Sequence, residues 1–407
     1  MENIENLDLL RPVSHTKRLD LVSGSGASMM TSDGKEYLDF NEICVVLGQN
    51  DRHFIDRMTK ALGGVTSGKR GYSDDKLELY GYLDRTTGHA FKGIHLTSSG
   101  SETTEWAVKL AQKITGKSEV LSFWNSIHGR THLSASMSGL PKRKTLYGPV
   151  CPGTVFAPYP DAGHAPFDEN GRIGGMDYFD FLDKKIKYES ADDIAAVIVE
   201  PYQGSGVIIP PHGWLRRLQD WAHARGALFI VDEIQSGMGR TGDLYRYPSE
   251  GLSPDMLLLG KGLGNGLHIS ALLTAILPEE KYLHALTGGA GDDALASAAS
   301  CAVFEELLEN GLLDHVKKVS ALMAEKLEEL RSGCSCVKAV RCAGLACAVE
   351  LESADSLKKA VPAFKERGLL VSPSANNSFM LKPPYTVTEE QIGKMAAIIG
   401  DVLSTLA

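Results

Sequence analysis

The sequence lacks the features that would place it in several large classes of protein. Only seven of its 407 residues are cysteines, an odd number. No Cys-x-x-Cys pair or His/Cys cluster supplies the four ligands of a structural zinc ion, so no metal centre is expected. A disulfide framework is not expected either, because a chain of this size without a secretory signal is typical of a reducing compartment.

Signals for membranes and nucleic acids are also missing. No apolar stretch reaches the roughly 18 residues that a transmembrane helix needs. The first residues, Met1 to Glu5, are polar and acidic, unlike a signal or transit peptide. The formal net charge is −9, and an acidic excess argues against binding to nucleic acid or anionic membranes. We therefore expect a cytoplasmic protein whose partners are small molecules.

No common nucleotide-binding motif lies at a predicted turn from a strand into a helix. The sequence contains no P-loop with its Gly-Lys-[Ser/Thr] ending, and the Ser98 to Ser101 turn before a predicted helix is not a G-x-G-x-x-G dinucleotide fingerprint. A nucleotide-dependent oxidoreductase is therefore disfavoured.

What the sequence does contain is a long alternation of strand and helix patterns. Short apolar runs that end in polar residues are typical of a buried parallel sheet. Strands are predicted at 94–97, 119–124, 194–199, 227–231 and 256–259, with helices at 102–112 and 211–224. The fold class is therefore α/β, with a large, mostly parallel sheet.

The pattern changes after about residue 290. Two helices are predicted at 294–309 and 314–330, and then a strand, a helix and a final strand–turn–helix. We predict three parts: residues 1–40, an N-terminal segment with a hairpin at 28–40 that packs with the small domain; residues 41–290, a large domain; and residues 291–407, a small α+β domain.

Three reactive side chains follow predicted strands directly. Glu200, Asp232 and Lys261 each stand at the carboxyl end of an apolar run, where open α/β sheets collect their ligands. A lysine flanked by Gly260 and Gly262 is sterically open, and desolvation turns such an amine into a nucleophile. Taken alone, Lys261 is more simply a surface loop lysine. The alternative for Asp232 is a core aspartate that caps a helix or pairs with an arginine, for which Arg240 is available.

A turn between a predicted strand and a helix adds a third element. Residues Ser98 to Ser101 precede the helix, so backbone N–H groups and the helix dipole there favour a phosphate. An ordinary helix cap explains this turn equally well. Together, however, a phosphate cradle, an acid for a ring nitrogen and an amine for an aldehyde match one cofactor, pyridoxal 5′-phosphate (PLP).

At this point the sequence resembles the class III aminotransferases of PLP fold type I. The blocks that carry the resemblance run in the family's order from about Ser28 to the C-terminus: Ser99-Gly100-Ser101-Glu102, His128-Gly129-Arg130-Thr131, Glu200-Pro201-Tyr202-Gln203-Gly204, Asp232 to Gly242, Pro254 to Lys261, and Pro383-Pro384.

The resemblance implies a role for each matching residue. Lys261 would hold PLP as a Schiff base and carry protons, and Asp232 would pair with the pyridine nitrogen. Gln235 would lie near the ring hydroxyl oxygen. The remaining candidate cofactor-binding residues are Ser99, Gly100 and Ser101 at the phosphate, with Ile127, His128 and Glu200 around the ring. Family members are usually homodimers, and Thr287 would complete the partner's phosphate site.

Three positions depart from the family pattern. Ile127 replaces the aromatic residue that usually stacks on the PLP ring. The stretch Phe379 to Lys382 lacks the arginine that binds a substrate carboxylate in many members, and Ser205 replaces the glutamate that pairs with that arginine. We expect the substrate carboxylate to bind either Lys382 or an arginine elsewhere in the chain. The alternative is that the substrate has no α-carboxylate.

The sequence thus predicts a PLP-dependent aminotransferase that moves an amino group from an amine or amino acid to a keto acid. The alternative is a decarboxylase, racemase or lyase of the same fold, since Lys113 to Lys117 and the region around Asp292 also resemble dialkylglycine decarboxylase. Asp292 would then be an alkali-metal ligand, although a hydrogen-bonded loop aspartate is the simpler interpretation.

Overall fold

The structure is a computed structural model that describes residues 19–64, 71–141, 144, 150–161, 164, 166–168, 171–277, 279 and 293–406. Its helices, numbered in chain order, are α1 (Arg52–Leu62), α2 (Asp74–Thr86), α3 (Gly100–Thr115), α4 (His132–Met137), α5 (Tyr178–Glu189), α6 (Trp214–His223), α7 (Ala294–Leu308), α8 (Leu312–Gly333), α9 (Ala354–Glu366) and α10 (Glu389–Ser404).

The strands form three sheets. They are β1 (Leu21–Ser25), β2 (Ser28–Thr31), β3 (Glu36–Asp39), β4 (Gly93–Thr97), β5 (Glu119–Phe123), β6 (Thr154–Ala157), β7 (Ile194–Val199), β8 (Leu228–Asp232), β9 (Met256–Leu259), β10 (Ser270–Thr274), β11 (Val337–Ala343), β12 (Ala346–Leu351), β13 (Leu369–Leu370), β14 (Ser372–Pro373) and β15 (Ser378–Leu381).

The large sheet has seven strands in the order β4-β10-β9-β8-β7-β5-β6. Strands β5 to β9 pair in parallel, whereas β10 runs antiparallel to both β9 and β4. The five strands that the sequence predicts in this region are all present, which confirms the mostly parallel α/β fold. The predictions lacked β6 and β10, whose short runs carry a weak apolar signal.

Both faces of this sheet are covered. Along β7, Ile198 packs in a cluster with Ala107 and Val108 of α3. The alternate residues Val197 and Val199 belong to the main core, which also contains Leu218 of α6. All six residues of β7 are buried. Burial on both faces explains why the strand is a continuous apolar run rather than an alternating one.

The C-terminal part of the chain contains a second, antiparallel sheet in the order β11-β12-β15-β14. Helix α8 packs on β11, and α9 contacts β12, β14 and β15. The predicted helices at 294–309 and 314–330 correspond to α7 and α8. The proposed boundary near residue 290 lies outside the described residues, so the division into three domains stays a prediction.

The third sheet joins residues from the two ends of the chain. The predicted hairpin is present as β2 and β3, and its turn contains Gly34 at a φ of 82°. Strand β3 pairs in parallel with β13, so that Leu38 lies opposite Leu369. Strand β1 was not predicted, because its residues are polar or exposed; the side chain of Leu21, for example, is 46% exposed.

Candidate active site

The predicted reactive residues meet at one edge of the large sheet. Glu200 follows β7, Asp232 ends β8 and Lys261 follows β9 two residues later. Because β7, β8 and β9 are adjacent and parallel, their carboxyl ends lie side by side. Asp232 and Glu200 are 4% and 6% exposed, so two carboxylates are buried within one small region.

Asp232 pairs with a histidine, not with Arg240. The distance from His128 Nδ1 to Asp232 Oδ2 is 2.7 Å, and the backbone N–H of Ile234 donates to Oδ1 at 3.1 Å. Burial lowers the pKa of His128, but the hydrogen bond and charge of Asp232, with the charge of Glu200, outweigh burial and raise it. The pair therefore holds a proton next to a buried carboxylate.

Arg240 serves a different purpose. Its guanidinium donates to the carbonyl oxygens of Leu345 and Pro383, at 3.3 and 2.5 Å, and lies 4.7 Å from the ring centroid of Tyr385. The structure therefore does not support the alternative in which Arg240 pairs with Asp232. Arg240 instead connects the loop after β8 to the C-terminal part of the chain.

Lys261 begins a short 3₁₀ helix, Lys261–Gly264, immediately beyond β9 and Gly260. Its backbone φ is 45°, in the left-handed region that side chains other than glycine rarely adopt. Burial lowers the pKa of Lys261, although the negative charges of Asp232 and Glu200 oppose that shift. A larger neutral fraction makes the amine a better nucleophile.

The Ser98 to Ser101 turn leads from β4 into the N-terminus of α3, as the sequence predicts. Ser99 is the N-cap of α3, and its side chain accepts from the N–H of Glu102 at 3.3 Å. The Oγ of Ser101 accepts from the N–H of Arg130 at 2.9 Å, which joins the turn to the His-Gly-Arg-Thr block. A Cβ on Gly100 would lie 2.8 Å from Ile234, so only glycine fits without displacing that side chain.

Glu200 organises the other side of the site through backbone donors. It accepts from the N–H of Ile127 at 3.3 Å and from the N–H of Gly204 at 3.0 Å. Burial raises the pKa of Glu200 to about 6. Gly204 packs tightly on Gln235, because a Cβ there would meet Gln235 Nε2 at 2.6 Å. Glu200, Ile127 and Gln235 are thus linked.

The two departures from the family pattern on the substrate side lie next to each other. The N–H of Gly206 contacts Sδ of Met380 at 3.4 Å. Ser205, whose side chain is buried, has its Oγ 3.4 Å from that of Ser374. A thioether and hydroxyls therefore stand together where the family resemblance implies an ion pair.

Two predicted positions, Thr287 and Asp292, lie outside the described residues, so the partner phosphate contact and the alkali-metal hypothesis stay untested. Among the residues that the structure does describe, no three His, Cys, Asp or Glu side chains come together as a metal site. Within the same residues, no helix is both long enough and apolar enough to cross a bilayer.

The residues present fit PLP. A helix N-terminus with serine hydroxyls suits a phosphate, Asp232 suits a protonated ring nitrogen, and Lys261 suits an aldehyde. The Nε2 atom of His128 is buried without a hydrogen-bond partner, as expected where a group outside the chain would fill the space.

Sequence reasoning did not predict the pairing of His128 with Asp232. The two residues are 104 positions apart, and neither the strand pattern nor the motif spacing predicts which side chains touch. The signal available was chemical: both residues are polar, and both fall in motifs at strand ends.

Comparisons with known proteins agree with this geometry. The family model described as Aminotransferase class-III matches residues 11–403. The acetylornithine aminotransferase of Listeria innocua is 31% identical over 95% of each chain. That of Methanothermobacter thermautotrophicus is 30% identical over 95% of this chain and 94% of its own.

Solved structures of similar fold include an amine transaminase from an uncultivated Pseudomonas species in its PLP-bound form. It has a TM-score of 0.89 and 24% identity over 98% of this chain and 99% of its own. The taurine:2-oxoglutarate aminotransferase of Bifidobacterium kashiwanohense, solved with PLP and glutamate, has a TM-score of 0.86 and 24% identity. That match covers 96% of this chain and 93% of the other.

Proposed function

The chain belongs to the class III aminotransferase family and is a PLP-dependent aminotransferase, and from this premise we propose that Lys261 is its catalytic amine and Asp232 its electrostatic anchor. The observation that carries the proposal is the meeting of Lys261, the Asp232–His128 pair and the Ser99–Ser101 turn at one sheet edge. The overall reaction moves an amino group from an amine or amino acid to a keto acid.

The cofactor supplies an aldehyde that condenses with amines and a ring that accepts electrons from the substrate carbon. Ser99, Gly100 and Ser101 would hold its phosphate at the N-terminus of α3, where the helix dipole favours negative charge. Gln235 would lie at the ring hydroxyl, and Ile127 would cover a ring face.

Lys261 moves protons in this proposal. With its Nζ unprotonated, Lys261 would act as a base at the edge of the sheet, within the field of Asp232 and Glu200. Its lowered pKa lets it accept a proton from the substrate carbon and return it to a neighbouring atom without binding the proton too tightly.

In this proposal Asp232 supplies a negative charge, and His128 holds that carboxylate in position. The carboxylate of Asp232 would keep a proton on the ring nitrogen, which favours electron withdrawal from the substrate. His128 is a positioning residue, because its 2.7 Å contact fixes the orientation of that carboxylate. A buried carboxylate without such a partner would be costly to keep ionised.

The family match and the named relatives favour amino transfer over decarboxylation, racemisation or elimination. The relatives named acetylornithine aminotransferases make N-acetylornithine the first donor to test. Met380 and Ser205 argue for a different carboxylate contact from the usual arginine, so the donor panel has to include simple amines and amino acids.

Two further properties belong to the proposal. We expect a homodimer with shared active sites, as the family resemblance implies, and Thr287 would then complete the partner's phosphate site. We also expect a cytoplasmic enzyme. Sedimentation equilibrium of the purified protein tests the first property, since a monomeric mass would contradict it.

The decisive experiment is a half-reaction. The purified holoenzyme is mixed with N-acetylornithine, glutamate, alanine and simple amines without any keto acid, and the visible spectrum of the cofactor is followed. We expect stable conversion to pyridoxamine phosphate with at least one donor, and reversal by a keto acid.

The matched variants are Lys261→Ala and Lys358→Ala, the latter on the exposed surface of α9. Lys261→Ala is expected to lose the half-reaction by a factor of about 10³ or more, whereas Lys358→Ala is expected to react as the wild type. A Lys261→Ala variant with wild-type spectrum and rate would refute the assignment. Regeneration of PLP while the amino acid loses carbon dioxide would instead establish the decarboxylase.

A further inference from the structure

A second lysine lies buried beside the site and is not used by the proposed chemistry. Lys382 follows β15, its backbone N–H donates to the carbonyl of Phe40 at 2.6 Å, and its side chain is 3% exposed. Side chains alternate along a strand, so Lys382 shares a face with Met380. That face packs on Tyr202 and Val207, in the loop that follows Glu200.

Lys382 makes one polar side-chain contact among the described residues, a hydrogen bond from its Nζ to the carbonyl of Gly204 at 3.1 Å. It forms no ion pair with any carboxylate in the described part of the chain. Arg341, on the same sheet, differs because Glu350 lies 2.6 Å from its guanidinium. A buried ammonium without a carboxylate is costly, and two of its three N–H donors are still available.

Burial and the surrounding charges bring the pKa of Lys382 close to neutral pH. Burial lowers the pKa of Lys382 to about 7, with the positive charges of Lys261 and Arg240 acting in the same direction, while Glu200 opposes them. Glu200 is itself engaged by backbone N–H groups. An added anion would offset the effect of Lys261 and Arg240 and favour the protonated form of Lys382.

Lys382 is also close to the groups assigned to the cofactor. Its acceptor Gly204 donates its own N–H to Glu200 and lies against the amide of Gln235. One residue, Gly204, thus separates the Lys382 amine from the side chains of Glu200 and Gln235. A substrate anion that bound Lys382 from the candidate site would therefore replace the hydrogen bond to the carbonyl of Gly204.

We propose that Lys382 binds the carboxylate of the substrate and thereby selects amino acids and keto acids over amines and aldehydes that lack an acid group. The inference rests on the proposed function and names the substrate class of the same site. Binding of the anion stabilises the protonated amine, so carboxylate binding takes up a proton when the pH is above 7.

The test uses the PLP-loaded enzyme, which has no amino group to give to a keto acid, so that pyruvate and 2-oxoglutarate bind without turnover. Their dissociation constants are measured by calorimetry between pH 6 and pH 9 for the wild type, Lys382→Met, Lys382→Arg and the surface control Lys358→Met. We expect Lys382→Met to weaken binding of at least one of the two at least tenfold at pH 6.5, and Lys358→Met to leave it unchanged.

The pH profile distinguishes a contact from a structural role. In the wild type, binding is expected to weaken by about tenfold per pH unit above pH 7, because the protonated amine is the form that binds. In Lys382→Arg the affinity is expected to be retained and independent of pH, since a guanidinium stays charged. If Lys382→Met does not fold, the pH profile of Lys382→Arg still tests the proposal.

Several outcomes would overturn the inference. Wild-type affinity in Lys382→Met, absence of keto-acid binding by the wild type, or an unchanged pH profile in Lys382→Arg would each do so. Equal loss of the half-reaction with neutral amines would show that Lys382 only supports the loop. The proposed function fails separately, if no donor converts the cofactor, and keto-acid binding can be measured in either case.

Discussion

At the scale of single residues, backbone strain occurs at Lys261, the proposed catalytic amine. Lys261 has a φ of 45°, a conformation that costs about 1–2 kcal/mol outside glycine. The neighbouring Gly260 cannot carry a side chain, because a Cβ would lie 2.7 Å from Ser270 Oγ. Close packing around Gly260 therefore holds Lys261 in place, and the strain lies at the residue that the proposed function requires in a fixed position.

Glu350 shows how strongly one residue can depend on its neighbours. Burial alone would raise the pKa of Glu350, but hydrogen bonds from Lys338, Arg341 and His164 outweigh burial and lower it to about 2. Because the folded-state pKa is depressed, the stabilisation is present above pH 4.5 and is lost as the pH falls toward 2.

We predict that Glu350→Gln lowers the free energy of unfolding by about 2–3 kcal/mol at pH 7, since it leaves the guanidinium of Arg341 without its carboxylate. The difference from wild type should shrink between pH 4.5 and pH 2. Urea unfolding at saturating PLP measures both effects. The exposed neighbour Glu352→Gln is the control, and a difference that did not depend on pH would contradict the electrostatic explanation.

Motifs indicate candidate site residues, but they do not indicate which of those side chains touch. The sequence identifies Asp232, Lys261 and the Ser99–Ser101 turn as candidates because each follows an apolar strand. The choice of His128 over Arg240 as the partner of Asp232 depends on the packing of β5 and β8 against distant loops. Such contacts follow from three-dimensional arrangement, which local spacing does not contain.

At the scale of elements, the strands were predicted where burial leaves a strong pattern. Strand β7 is six buried apolar residues, and its pattern is unambiguous. Strand β10 was missed although all five of its residues are buried, because its serine and threonine weaken the apolar run. Its antiparallel direction follows from a short connection after β9 that leaves no room for a crossover helix.

The N-terminus of α3 allows a test that separates folding from cofactor binding. Ser99 caps α3, and Ser353 caps α9 in the same way, with its Oγ 3.1 Å from the N–H of Ser356. We predict that Ser99→Ala and Ser353→Ala each cost about 1 kcal/mol in stability of the PLP-free protein. Only Ser99→Ala should weaken PLP binding.

Equilibrium dialysis with PLP, together with urea unfolding of the PLP-free variants, measures the two effects. If Ser353→Ala weakened PLP binding as much as Ser99→Ala, the loss would come from general destabilisation. The assignment of the turn to the phosphate would then have no support from this pair.

At the scale of the whole molecule, the two ends of the chain depend on each other. Leu38 of β3 is 1% exposed and lies opposite Leu369 of β13. Backbone hydrogen bonds also join Phe40 to Lys382 and Val46 to Tyr385, at 2.6 and 2.7 Å. The segment before the large sheet and the segment after it therefore form one packed layer.

We predict that Leu38→Ala destabilises the protein by about 2–5 kcal/mol, as expected for a cavity in a packed core. Hydrogen exchange should increase together at residues 28–40 and 369–385, since the two segments share their hydrogen bonds. Leu21→Ala, in β1 of the same sheet but 46% exposed, is the control. Faster exchange at 28–40 alone would show that the segments open independently.

The pairing of β3 with β13 also has a consequence for synthesis on the ribosome. The two strands are 331 residues apart, as are the contact atoms of Lys35 and Glu366. At translation rates of about 5–20 residues per second, the free edge of β3 waits roughly 20–60 s for its partner. Unpaired strand edges invite association with other chains. The nascent chain is therefore most in need of chaperones in this interval. The need ends when β13 has been synthesised and pairs with β3.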